Sequence, residues 1–206
     1  MTPMPNVFLY NPFKSDCIED LIDRWVNAEE ARGWKKDLVR VRHGPNKPLD
    51  DLEPGDTLYI IGHGDVTPNR ICDRASSDGG TPEILHPPQL AARLFADGLT
   101  DKAITIKIYS CLAARGVLDS FATNAALQIK QKCGSSGGLS CKFNIYGYDE
   151  IVSILVLNPQ TGEYGKFVGE LKEDVTGVGE DTIELTTRKA KSSRKLLVKK
   201  GFGLVM

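Results

Sequence analysis

Apolar runs of about five residues recur along the first two-thirds of the chain, with stretches of helical spacing between them. Val7 to Asn11 reads as a first strand. Ile18, Leu21, Ile22, Trp25 and Val26 fall at i, i+3, i+4, i+7 and i+8, the stripe of an amphipathic helix expected to start near Ser15 or Asp16 and stop at Gly33. Leu38 to Arg42 is a second, more polar strand. A Glu53-Pro54-Gly55-Asp56 turn introduces Thr57 to Ile61, a nearly all-apolar strand of the kind buried on both faces. About twenty residues without periodicity follow, long for a structureless connection, so residues 65–86 form a candidate functional loop. Pro88 suits the first turn of a helix that turns Leu90, Ala91, Leu94 and Phe95 inward and ends at Gly98. Residues 103–109 are the fourth strand. Leu118, Phe121, Ala122, Ala125 and Ile129 mark a third helix, followed by a Gly-Ser-Ser-Gly-Gly loop and a fifth strand over residues 143–148.

The remainder changes character. Residues 152–157 and 164–171 flank a turn-rich segment as hairpin arms do, and residues 182–187 and 194–200 read as further short strands. Alternating strands and helices predict an α/β fold: a three-layer sandwich with a mostly parallel sheet flanked by helices, and a short antiparallel C-terminal extension. The expected organisation is one domain, with a core over about residues 5–158 and a β extension with a basic tail over 159–206.

Length and composition agree with such a core. The chain has 206 residues, 41% of them hydrophobic and 26% charged, enough to fold without disulfides or metal. The net charge of -1 hides an asymmetry: Arg188, Lys189, Lys191, Arg194, Lys195, Lys199 and Lys200 follow the last acid, Glu184, and leave the preceding chain at about -8. This end is either a solvated strand and tail or a site for phosphate, acidic lipid or nucleic acid, and the acidic remainder makes nucleic acid the weakest of these. The five cysteines (Cys17, Cys72, Cys111, Cys133 and Cys141) are odd in number and lack a CxxC pair, which points to reduced thiols in cytoplasm. No secretory leader or membrane-length apolar run is legible, so a soluble cytoplasmic protein is expected; export without a leader would leave no mark.

Candidate chemistry sits where two strands end. In an open α/β sheet, loops leaving the carboxyl ends of the strands converge on one crevice. His63 follows the Thr57 to Ile61 strand and Cys111 follows the 103–109 strand, placing a base and a nucleophile on the same edge. A thiol is a weak nucleophile until its proton is taken, and an imidazole within reach takes it at neutral pH. The backbone N–H of Gly64, unobstructed by a side chain, pairs with that of Cys111 as a candidate oxyanion hole. Taken singly, a His-Gly is a common turn and a strand cysteine an inert small hydrophobe. Their conjunction on successive buried strands is what carries the reading.

An apolar strand ending in His63-Gly64, followed 48 residues later by Cys111 at the end of another, resembles the caspase-like cysteine peptidases. That grouping includes caspases, metacaspases, clostripain, gingipains and the self-cleaving domains of some bacterial toxins; in caspases the histidine lies about 50 residues upstream of the cysteine. The likeness covers element order over about residues 7–149. It implies that Cys111 attacks the peptide carbonyl, that His63 manages protons and protonates the leaving amine, and that the Gly64 and Cys111 amides hold the oxyanion. No cofactor is implied, and a dyad requires no third residue; Asp65 reads as an exposed turn carboxylate. Caspases place Gln-Ala before the cysteine, whereas this chain has Tyr109-Ser110-Cys111-Leu112-Ala113. Metacaspases and clostripain carry a pocket-lining aspartate two residues before the cysteine. Here Tyr109 holds that place, which argues against cleavage after Arg or Lys and implies an apolar residue such as leucine. Inositol hexakisphosphate switches on some toxin domains at a basic surface, so the basic C-terminal segment is the analogous candidate for a polyanion.

The expected activity is therefore that of a cysteine endopeptidase acting on protein or peptide, with self-cleavage as a further expectation and residues 65–86 or the Gly-Ser-Ser-Gly-Gly loop as candidate nick sites. The chief alternative is a catalytically silent interaction module of the same fold. Arg42-His43-Gly44 looks like the signature of histidine phosphatases, but only 20 residues separate His43 from His63, too few for the helical region between their motifs. His63, His86, Cys72 and Cys111 lack metal-ligand spacing, so no metal site is expected.

Overall fold

A five-residue run buried on both faces has few places to go except the middle of a sheet, and the first strand illustrates this: β1 (Val7–Asn11) is buried at every position. It pairs in parallel on one side with β2 (Leu38–Arg42) and on the other with β3 (Thr57–Ile61). The computed structural model describes residues 5–33, 37–64, 69–75, 78–116, 119–135, 142–154, 156–172 and 182–199. Next to β3 lies β7 (Thr105–Tyr109), then β8 (Asn144–Tyr148), both parallel, and β14 (Arg194–Val198) closes the edge antiparallel to β8. The six-stranded order is β14-β8-β7-β3-β1-β2.

Helices cover both faces. On one, Trp25 of α1 (Glu19–Ala31) stacks against Tyr59 and Tyr109, with ring centroids 4.9 and 5.1 Å away. Tyr148 stacks on Tyr109 and so shares this face, whereas its neighbour Gly147 turns to the other, where a Cβ would meet the methyl of Ala122 in α3 (Phe121–Ser135) at 2.6 Å. Only a bare Cα lets that helix lie so close. Against α3 packs α2 (Pro87–Ala96). Leu58, Ile60, Ile106, Ile108 and Ile145 are wholly buried between the layers, each worth about 1.5–3 kcal/mol of transfer free energy. The three-layer arrangement with a mostly parallel sheet matches the patterning.

Several boundaries differ from expectation for identifiable reasons. The first helix begins at Glu19 rather than Ser15 because the polar groups before it are engaged elsewhere: Ser15 Oγ donates to Asp73, and Asn11 Nδ2 donates to Ser15 O and Glu19 Oε1. The loop expected after β3 contains structure. β4 (His63–Gly64), β5 (Ile71–Cys72) and β6 (Ile84–Leu85) form a small antiparallel ribbon. Leu118 and most of the Gly-Ser-Ser-Gly-Gly loop lie outside the described residues, as do Asp65 and Cys141.

Beyond β8 the chain turns antiparallel. β9 (Ile151–Val152), β12 (Phe167–Lys172) and β13 (Thr182–Lys189) make a three-stranded sheet, while β10 (Val156–Leu157) and β11 (Tyr164–Gly165) pair as a hairpin. The last strand, β14, leaves this extension through a 3-10 turn at Ala190–Ser193 and joins the main sheet. Among the described residues no helix is long and apolar enough to cross a membrane.

Candidate active site

Register brings the two expected site residues to one place. Ile61 is the partner of Tyr109 where β3 and β7 end, and Gly62 N–H still donates to Tyr109 O at 3.3 Å. His63 and Cys111 are each two residues farther along. Gly64 then lies against Cys111: a Cβ built on it would overlap the Cys111 carbonyl oxygen and stand 3.0 Å from Cys111 Cα. The absent side chain is what permits this approach of the two strand ends.

The Cys111 thiol is half-buried and donates to Val152 O at 3.6 Å. Burial pushes its pKa up, and the proton given to that carbonyl is one a thiolate would lack. The residue after it, Leu112, has φ of +57°, a left-handed conformation that costs about 1 kcal/mol or more for a side chain of this size. Its N–H donates to Glu150 O, and Ala114 N–H to Tyr148 O, so the sharp turn after Cys111 is tied to the strand β8 and its exit.

His63 is half-buried, and burial holds its imidazole below the ordinary value, with Asp78 and Asp73 pulling the other way. The ring is therefore neutral at pH 7, the state that can accept a proton. Its main chain is held by the ribbon: His63 faces Cys72 across β4 and β5, and Cys72 Sγ donates to His63 O at 3.7 Å. Asp73 anchors the ribbon. Burial alone would raise its pKa, but bonds from Ser15 Oγ, Glu83 N–H and Arg74 outweigh that and hold it low. Glu83 in turn receives Arg93 Nη2 at 2.7 Å and Lys14 N–H at 2.7 Å, and Arg93 also donates to Pro12 O. This network joins the histidine-bearing ribbon to α2 and to the loop after β1. Residues from four separated segments meet in it, and no local sequence signal marks them.

The residue after His63, Gly64, meets the main chain of Cys111. The thiol's hydrogen bond goes to the Val152 carbonyl. The segment supplying the carbonyl is itself fixed: Tyr109 Oη donates to Ser153 O, Ser153 N–H donates to Phe167 O, and Phe167 N–H donates to Ser153 Oγ. Tyr109, expected at a specificity pocket, lies only 3% exposed among Trp25, Tyr59 and Tyr148.

Over the same aromatic cluster stands Lys166, its Nζ 3.5 Å from the Trp25 ring centroid and 4.3 Å from that of Tyr59. Burial drives its pKa well below the ordinary lysine value, with Lys107 adding repulsion, and ring faces beneath the ammonium offset part of that penalty. Lys166 lines a cavity of about 330 Å3 with Arg32, Lys189, Lys191 and Arg194. Glu29 is the acid in its wall, and Arg32 Nε lies 2.5 Å from it. Three residues of the basic end are paired, Lys189 of the cavity among them: Arg188 with Glu150, Lys189 with Glu163 and Lys195 with Asp149.

His43 follows the end of β2, and β1 lies between β2 and the strand that His63 follows, so the two histidines of the phosphatase-like reading stand two strands apart. Among the described residues no group of three or more His, Cys, Asp or Glu is placed to hold a metal ion. Comparisons of the chain with protein-family models, with curated proteins and with solved structures found no match.

Proposed function

We propose that this chain is a caspase-like cysteine endopeptidase in a resting conformation, with Cys111 as nucleophile and His63 as its base. The observation that carries the reading is the contact of Gly64 with the Cys111 main chain, which sets a base and a nucleophile at the adjoining carboxyl ends of two parallel strands. When Cys111 turns from Val152, His63 takes the thiol proton as sulfur attacks the peptide carbonyl. The amide nitrogen leaves with that proton, and water then releases the acyl group from sulfur. The Gly64 and Cys111 N–H groups are the proposed oxyanion donors. The substrate is protein or peptide. A polyanion, with inositol phosphate as the first candidate, is proposed as the activator at the Lys166–Arg194 cavity, which is lined by five basic side chains and one acid, with Arg32 and Lys189 already in ion pairs. The proposed location is the cytoplasm.

The test is digestion of a mixed peptide library, with and without inositol hexakisphosphate, followed by mass spectrometry of peptides and protein. Cleavage by wild type that disappears in Cys111→Ala and in His63→Ala supports the proposal; cleavage retained in Cys111→Ala refutes it. The bond from the thiol to Val152 O favours a second reading, a silent interaction module. Absence of cleavage under every condition, with Cys111 unreactive to iodoacetamide, selects that reading.

A further inference from the structure

A histidine–carboxylate pair lies outside the proposed peptidase site. His43 N–H donates to Asn11 O at 2.9 Å, which holds the residue at the carboxyl edge of the sheet. Its Nδ1 is 2.9 Å from both carboxylate oxygens of Asp97, the residue that closes α2. Asp97 is 1% exposed. A carboxylate so buried is costly unless compensated, and three groups face it: His43, Gly44 N–H at 3.4 Å, and the hydroxyl of wholly buried Tyr10, which donates at 2.5 Å. Burial and the Asp97 bond push the Tyr10 pKa far up, so this hydroxyl keeps its proton. An ionised carboxylate only accepts, so the His43 proton facing it sits on Nδ1. The second nitrogen, Nε2, is left for another partner.

That pair borders a cavity of about 570 Å3, walled also by Lys14, Arg42, Gly44 and Pro45, within the size range of small-molecule sites. Lys14 has no ion pair for its ammonium among the described residues. Arg42 bonds Asp16 and the Lys14 carbonyl, and its five N–H donors leave others to spare. We propose that this cavity binds a small phosphate-bearing molecule, held by Lys14, Arg42 and His43, with Asp97 and Tyr10 as positioning residues for the imidazole. A phosphoryl dianion presents three acceptor oxygens and two negative charges, one oxygen for each of the three donors, where a carboxylate presents two oxygens and one charge. In the complex Nε2 donates to a phosphate oxygen, and Asp97 faces the opposite side of the ring. No covalent bond is made or broken, and the site is independent of the peptidase reading.

The full chain has three histidines, so their ring resonances in a proton–carbon NMR spectrum report the site directly. Inorganic phosphate and phenyl phosphate are titrated in turn, with acetate as the carboxylate arm. The expected result is a saturable shift of the His43 ring with Kd of about 1 mM or tighter for both phosphates, weaker binding of acetate, and no comparable saturation at His86. Lys14→Met, a change at an exposed position, is expected to weaken binding at least tenfold, and Asp97→Asn to weaken it with the protein still folded by circular dichroism. A shift linear in phosphate, acetate binding as tight as phosphate, or unchanged affinity in Lys14→Met would overturn the proposal.

Discussion

Gly64→Ala adds one methyl group where the Cys111 carbonyl already stands. The methyl would overlap the oxygen and lie 2.7 Å from the carbonyl carbon, and both obstructing atoms are backbone, which cannot swing aside as a side chain does. Overpacking of this kind costs about 1–3 kcal/mol, and the lost freedom of the unfolded glycine returns about 0.4–1 kcal/mol. Because the obstruction is rigid backbone the upper end of the overpacking range applies, and the net is a destabilisation of about 2 kcal/mol, or about 4–8 °C in Tm for a chain of this length. The strain is relieved by moving the two strand ends apart, and a displacement near 1 Å at a nucleophile lowers turnover about 100-fold. Gly62→Ala is the control. Its methyl would meet Ile71 Cδ1 and Phe13 Cε2 at 3.3 Å, both side-chain atoms able to give way, so the cost stays below about 1 kcal/mol. Differential scanning calorimetry of the two variants separates the cases. Gly64→Ala melting within about 1 °C of Gly62→Ala would refute the close approach of His63-Gly64 to Cys111.

Two further consequences are accessible in solution. Tyr109→Phe removes the donor to Ser153 O, at a cost of about 1–3 kcal/mol for the unpaired carbonyl; because Ser153 adjoins Val152, which covers the thiol, iodoacetamide should label Cys111 several-fold faster than in wild type, as peptide mapping would show. His63 is held below the ordinary imidazole value by burial, so its folded pKa is lower than its unfolded one. Its contribution to stability is present above about pH 6.5 and is lost as pH falls through the folded value. Urea melts from pH 7 to pH 5 should therefore show declining stability, and His63→Gln should flatten the decline; an equal slope in both proteins would contradict the buried neutral ring.

What the sequence made legible follows from how local each signal is. β1, β2 and β3 have the bounds read from the chain because apolar runs stop at strong terminators: Pro12 after Asn11, His43-Gly44 after Arg42, and Gly62 after Ile61. Two-residue strands such as Ile71–Cys72 and Ile84–Leu85 have no period to detect, so the ribbon behind His63 was invisible. Ser15 has the right chemistry for a helix cap, but its hydroxyl is used by Asp73, 58 residues away. The partner of β14 was not legible either, since an edge strand reads alike whether it joins the extension or the main sheet. At the site, His63, Gly64 and Cys111 were named from two strand ends. The Val152 carbonyl on the thiol is a contact over 41 residues that depends on how β9 lies across β7, and no residue pattern announces it.

The central claim is that His63 and Cys111 act as one unit. Its most direct measurement is the acyl-enzyme: wild type mixed with the peptide library, quenched in acid and mapped for mass added at Cys111. A thioester on the Cys111 peptide, lost in Cys111→Ala and at least about 100-fold less abundant in His63→Ala, is the result expected. Peptide cleavage with no adduct at Cys111, and undiminished in His63→Ala, would contradict it.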